Sequence, residues 1–260
     1  MNNSKFKIGG LVLSTLILAA CGGGGGSSSN NSDGTGTGGD TGTVGDNGTG
    51  GVDGAQFRIT TTNLTNTQTM SPVAVVMHNA GFNNFIDGET ASEGVERLAE
   101  GGDNSLVLSD AAAAAEYISS ASTSGPVAPS SVGESLTLDV PTDQLSDLRL
   151  SVMTMLIRTN DAFTGLNATN ISDMEVGSSK TFNAPTWDAG TELDDEAGVN
   201  MPGTGGEGFN ATRDDRIDLV RFHNGVVTNA SPEFGLATSD LVEADRFLNP
   251  TSRIVVERIR

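Results

Sequence analysis

The chain is poor in basic residues, in aromatic rings and in cysteine, and each shortage closes off a class of function. Only 14 Lys and Arg stand against 33 Asp and Glu, for a formal charge of -19. Neutralising phosphates takes clustered Lys and Arg, so nucleic-acid binding is excluded, as is docking onto anionic lipid through a basic face. Cys21 is the only cysteine, which rules out an internal disulfide. The two histidines, His78 and His223, would both be needed for a zinc site, together with carboxylates; each reads instead as a polar structural residue. No nucleotide-binding glycine motif, phosphate-binding loop or Gly-x-Ser-x-Gly element is present. No apolar run reaches the roughly 20 residues of a spanning helix. What is abundant is acid. It serves either as a solvated, self-repelling surface or as ligands for a hard divalent cation.

The N-terminal segment reads as a processing signal. Lys5 and Lys7 precede a mostly apolar stretch, Ile8–Ala20, of the length of a signal-peptide core. It ends Leu18-Ala19-Ala20-Cys21, which resembles the lipobox of bacterial lipoproteins. That resemblance implies that residues 1–21 are a signal ending at Cys21, that Cys21 is lipidated, and that the membrane is a partner through it. Several acyl chains on one cysteine satisfy the two-signal requirement for stable anchoring. Gly22, rather than Asp, after the cysteine is similar to outer-membrane sorting, so the expected location is the bacterial cell envelope, at the outer membrane.

Residues 22–56 follow as a tether. Nearly half of the 34 glycines fall between Gly22 and Gly54, and the only apolar side chains are Val44, Val52 and Ala55. Such a segment cannot bury enough surface to offset the entropy of ordering, so disorder is expected. A Gly-rich chain of this length spans about 30–35 Å, enough to lift a domain off the headgroups. Asp33, Asp40, Asp46 and Asp53 recur at spacings too loose for a calcium-binding nonapeptide repeat, so they read as solvated linker acids.

Residues 57–260 are long enough for one domain with a real core. Phe57–Thr62 is rich in β-branched residues and reads as a strand. The same reasoning predicts strands at Val73–His78, Ser135–Val140, Arg149–Ile157, Ser179–Phe182, Ile217–Phe222 and Arg253–Ile259. Ile254 and Val256 alternate with Val255 and Ile259 in the last, which predicts a covered strand rather than a free edge. Two short helices are predicted. Ala91–Ala99 carries Val95, Leu98 and Ala99 on one face, and Ser109–Ile118 has Ser109 and Asp110 as caps before an alanine run. Gly190–Arg216 reads as a long acidic loop. Strands at this density with few helices predict a mainly β domain, an antiparallel β-sandwich with one or two short helices.

Several segments carry a further signal in their order. They are Asn63-Leu64-Thr65, Ser71-Pro72-Val73-Ala74-Val75-Val76-Met77-His78, Ala91-Ser92-Glu93-Gly94, Leu98-Ala99-Glu100-Gly101-Gly102, Thr159-Asn160-Asp161-Ala162-Phe163-Thr164-Gly165 and Trp187-Asp188-Ala189-Gly190-Thr191-Glu192. The set resembles the spondin N-terminal domain family, which has members among bacterial lipoproteins. The resemblance implies a β-sandwich with one bound Ca2+, and by motif its ligands fall on Asp161, Asp188 and Glu192. Here Glu192 stands where the animal members have aspartate, Asn160 and Ala162 flank the metal acid in place of Pro and Trp, and the animal cysteines are missing.

The residues fit that implication on physical grounds. Calcium takes several oxygens, often from loops at strand ends. Asp161 follows the apolar strand candidate Leu150–Ile157, and Gly190 permits a sharp turn between Asp188 and Glu192. The Trp187 carbonyl is a further candidate oxygen. Against this stand plainer readings: a loop-capping Asp161, an exposed acidic turn at Asp188 and Glu192, and solvated turns at Asp194-Asp195-Glu196 and Asp214-Asp215. The expected function is a lipid-anchored, non-enzymatic binding or adhesion module with a calcium-binding loop site. Its expected partner is an extracellular or periplasmic protein or glycan. The competing expectation is a hydrolase with an acidic site acting on glycans, marked by a deep cleft holding a buried acid of raised pKa.

Overall fold

The structure is a computed structural model that describes residues 54–230 and 235–260. The signal segment, Cys21 and the tether up to residue 53 lie outside the described residues. Among the described residues the strands, numbered in chain order, are β1 (Gly54–Asn63), β2 (Ala74–Asn79), β3 (Tyr117–Ser122), β4 (Val132–Pro141), β5 (Leu148–Met155), β6 (Ala162–Asn170), β7 (Ser179–Ala184), β8 (Thr186–Asp188), β9 (Arg221–Phe222) and β10 (Ser252–Arg258). Two α-helices, α1 (Glu93–Gly101) and α2 (Ser105–Ala113), lie between β2 and β3. No helix among the described residues is long and apolar enough to cross a membrane.

All the strand pairs are antiparallel. One sheet runs β4-β1-β10-β7 and the other β3-β2-β5-β6-β8-β9. Alternation along β1 sends Phe57 and Ile59 inward, and along β10 Ile254 and Val256. Both pairs join Val75, Met77, Leu150 and Val152 of the facing sheet in one apolar cluster. The architecture is therefore the expected antiparallel sandwich. The chain's last strand, β10, is central in its sheet, as its two-sided apolar pattern predicts. It pairs with the first, Ile59 opposite Val256.

The six-stranded sheet is covered on its outer face as well. Ala74, Met153 and Phe163 pack there under Val95, Leu98 and Ala99 of α1 and Val107 of α2. Helix α1 is defined at both ends. The Ser92 hydroxyl accepts from the Val95 N–H (3.3 Å), and Gly102 closes the helix in the left-handed region at φ 70°.

Three local expectations change. β1 starts at Gly54, three residues before the predicted edge of the domain, because Gly54 to Gln56 continue the ladder with Pro141 to Asp139. The second helix occupies Ser105–Ala113 instead of Ser109–Ile118, so Ser109 and Asp110 lie inside it and do not cap it. Beyond Ala113, pairing of Tyr117–Ser122 with β2, Met77 opposite Ser119, takes the segment into the sheet against its helical propensity. The predicted strand at Ile217–Phe222 shrinks to Arg221–Phe222. Its first part is a loop whose Val220 exchanges backbone hydrogen bonds with Gly88 and Glu89 (both 2.8 Å). Strands β3, β6 and β8 carry no alternating pattern strong enough to read from the sequence.

Candidate metal centre

The acids gather where β5, β6 and β8 end. The chain turns sharply between β5 and β6: the Thr159 hydroxyl donates to Leu156 O (2.6 Å), and the Ala162 N–H donates back to Thr159 Oγ1 (3.1 Å). This turn leaves Asp161 fully buried just ahead of β6. β6 pairs with β8, Ala162 opposite Asp188, so Asp161 and Asp188 come to neighbouring strand ends. After Asp188 the chain turns at Gly190, whose φ of 73° suits glycine, and a Cβ there would lie 2.5 Å from Leu219 O. The Gly190 N–H donates to Asp188 Oδ1 (2.8 Å). The next two N–H groups, Thr191 (2.7 Å) and Glu192 (3.1 Å), donate to Asp161 Oδ2. Asp161 thus staples a second loop rather than capping its own.

Two groupings share Asp161. In the first, one oxygen each from Asp161, Asp188 and Asp194 lies within 4.8 Å of the others. In the second, Asp161 raises the pKa of both Glu192 and Glu100 by repulsion, and Glu100 raises that of Glu192. Asp161 Oδ1, Glu192 Oε2 and Glu100 Oε1 are all buried and have no hydrogen-bond partner. The three acids predicted as ligands, Asp161, Asp188 and Glu192, therefore lie in one region, with Asp161 common to both groupings. Glu192 is not among the three that converge within 4.8 Å. Asp194, read from the sequence as a solvated turn acid, is.

Burial is the leading cause of every raised acid here, because an ionised carboxylate loses its hydration. It lifts Glu192 to about 9, with Glu100 and Asp161 adding repulsion. It lifts Asp188 to about 8, with Asp161 and Asp194 adding, while the Arg221 guanidinium and the Gly190 N–H pull the other way. Glu196 rises to about 8 and Glu100 to about 7 for the same first reason. Asp161 rises less, to about 6, because two backbone N–H groups favour its charged form.

Among the described residues one cationic side chain, Arg221, reaches this centre. Arg221 Nη2 lies 2.7 Å from Asp188 Oδ2, 2.6 Å from Asp215 Oδ2 and 3.9 Å from Asp194 Oδ2. A single guanidinium cannot balance this many carboxylates. His223 adds little, since burial pushes its imidazole down to about 4 and keeps it neutral. Its Nδ1 accepts from the Gly225 N–H (2.9 Å), leaving Nε2 to face Asp194 Oδ1 at 4.0 Å. His78 is elsewhere and structural: Nδ1 meets Asn79 O (2.8 Å) and Nε2 the Ser151 hydroxyl (2.9 Å).

The donor set suits a hard cation, being carboxylate oxygen with three buried oxygens unengaged. Asp161, Asp188 and Asp194 are the residues in position to hold one. A large open cavity, about 980 Å³, is lined by Arg158, Val199, Asn200, Glu207 and Asp240 among others, and by none of these acids.

Sequence reading missed Glu100 and Arg221 as parts of the centre. Arg221 carried no signal. Glu100 carried a faint one, since an acid in the last turn of a helix opposes the helix dipole and needs a reason to be there.

A protein-family model described as Spondin_N matches residues 61–200, a span that holds Glu100, Asp161, Asp188, Glu192 and Asp194. None of the curated proteins matches the chain.

Proposed function

The chain belongs to the Spondin_N family, whose model covers more than half of it, and on that premise we propose that it is a lipid-anchored binding module of the bacterial cell envelope, carrying one structural calcium ion and no catalytic activity. The anchor is Cys21, at the end of a lipobox-like sequence. The tether of residues 22–53 holds the domain off the outer membrane, and the ligand is an envelope or extracellular protein or glycan.

The observation that carries the calcium assignment is Asp161. Its side chain is completely buried, one oxygen is held by the Thr191 and Glu192 N–H groups, and the other faces acids without a partner. A carboxylate held this way is oriented but uncompensated, and a cation supplies the missing charge. Asp188 and Glu192 join it as ligands, with Asp194 alongside. Calcium accepts six to eight oxygens at about 2.3–2.6 Å and tolerates irregular loop geometry, which fits a mixed Asp and Glu set. The ion would cross-link the β5–β6 turn to the turn after β8.

Calorimetric titration of the metal-free protein tests this. Saturable calcium binding with a rise in melting temperature is expected, and Asp161→Asn is expected to remove both. Absence of heat and an unmoved melting temperature in the unaltered protein would sink the assignment. Mass measurement of the N-terminal peptide tests the anchor: an acylated Cys21 is expected, and a free thiol refutes it.

One observation favours a hydrolase instead, namely that Asp188 and Glu192 are buried acids raised to about 8 and 9, as a general acid would be. Turnover of envelope glycans that Glu192→Gln abolishes, with calcium binding kept, would select that reading.

A further inference from the structure

Helix α1 sends one carboxylate into the acidic region. Glu100 is fully buried in the last turn of α1, and its Oε1 has no partner. Its other oxygen, Oε2, accepts from the Asn210 N–H at 2.8 Å. That arrangement repeats Asp161, where Oδ2 is held by backbone N–H groups and Oδ1 is left free. Ligating carboxylates are commonly steadied in this way by a hydrogen bond on the second oxygen. The Thr191 hydroxyl donates to Asp161 Oδ2 at 3.2 Å and is near enough to Glu100 to favour its charged form.

Other roles for Glu100 fit less well. Among the described residues it forms no ion pair, whereas Glu96, one turn earlier on the same helix, meets Arg213 Nη2 at 2.7 Å. Its position opposes the helix dipole, so it does not stabilise α1 as an isolated helix. Packing does not call for it either, since Val95, Leu98 and Ala99 already fill the apolar face.

Resting on the calcium reading above, we infer that Glu100 is a further ligand of the same cation. The ion then ties helix α1 to the turn after β8 and to the β5–β6 turn, three segments far apart in the chain. The consequence reaches beyond the ion. The segment after Gly208 lies on α1, with Phe209 under the Arg97 guanidinium at 4.0 Å and Arg213 bonded to Ala91 O and Glu96. Losing the cation would loosen α1 and this overlying strand of loop together.

The test uses Tb3+ as the probe in the full chain, with luminescence excited through Trp187, the only tryptophan and the residue next to Asp188. Calcium is then added to displace the terbium. The unaltered protein is expected to give a saturable signal, Asp161→Asn none, and Glu100→Gln an affinity lower by about tenfold or more, as expected for loss of one charged ligand. Hydrogen exchange of the α1 amides is expected to slow on calcium addition in the unaltered protein and not in Glu100→Gln. Should Glu100→Gln fail to fold, Glu100→Asp keeps the charge, withdraws it by one methylene, and is expected to weaken binding in the same direction. Unchanged affinity in the Glu100 variant, with binding still lost in Asp161→Asn, overturns this inference and leaves the calcium site standing. No saturable signal in the unaltered protein overturns both.

Discussion

Phe57 and Asp161 are equally hidden from water, at 1% and 0% exposure, yet their surroundings do opposite things. Phe57 sits between the sheets among Ile59, Leu138, Leu150 and Val256, where burial is itself favourable. Asp161 sits among Asp188, Glu192, Glu100 and Asp194, where burial raises each pKa and, among the described residues, one arginine supplies the counter-charge in contact. The apolar interior needs nothing from solution. The acidic one needs protons or a cation. A domain without disulfides can therefore be stable through its sandwich while its loop face depends on what the medium supplies.

The sharpest way to break the comparison is to cut into each interior in turn. Phe57→Ala is expected to cost about 3–5 kcal/mol by denaturant unfolding, equally with and without calcium. A calcium-dependent loss would mean that the two interiors are coupled. Asp161→Asn is expected to behave inversely. It removes a repelling charge from the metal-free protein at little cost, and abolishes the roughly 2.7 kcal/mol that calcium at a hundred times Kd would add.

A pH series sharpens the contrast further. Glu100, Asp188, Glu196 and Glu192 hold protons in the folded state up to about 7, 8, 8 and 9, whereas in the unfolded chain such acids lose them near pH 4. Folded pKa values above unfolded ones mean stability that is complete at low pH and is lost as pH rises through the folded values. The metal-free protein is therefore expected to weaken from about pH 4.5 upward, by about 1.4 kcal/mol per unit for each proton that the folded state holds and the unfolded chain has lost, and to level off above about pH 9. Calcium is expected to flatten that slope, because the ion replaces the protons. A flat profile without calcium would show that the acids are already balanced.

Smaller effects mark regions outside both interiors. Ser92→Ala removes the α1 cap and is expected to cost about 1 kcal/mol, with a larger fraction showing in metal-free protein if the cation anchors this helix. Arg58→Ala breaks an exposed pair with Glu257, 3.4 Å apart. It is expected to change stability by about 0–1 kcal/mol in either state.

Much of the framework was legible before the fold was known, for reasons that differ by element. β1, β2, β5 and β10 carry long β-branched or apolar runs, so their strand character survives any context. β6 does not, because Ala162–Asn170 mixes small and polar residues and becomes a strand only through pairing with β5 and β8. The alanine run after Asp110 misled in the opposite sense, since helix propensity is weak against sheet pairing.

The site divides the same way. Asp161, Asp188 and Glu192 were singled out by motif order and by the turn that Gly190 permits; the first two converge with Asp194 and Glu192 does not. Asp194 was set aside because an acid run in a loop reads as solvated until the fold brings it to Asp161. Glu100 and Arg221, 61 and 60 positions from Asp161, reach the centre through α1 and β9, and only long-range packing can decide that.

The sequence by itself determined the charge, the single cysteine, the lipobox-like start and the strand-rich composition, and it singled out Asp161 and Asp188 of the converging acids, because these depend on residue type and short spacing. Tertiary structure alone decided that the acids are buried rather than solvated, that three of their oxygens lack partners, and that a helix contributes one of them. Burial and unmet hydrogen bonding are properties of what surrounds an atom, and those surroundings come from segments that the chain order keeps apart.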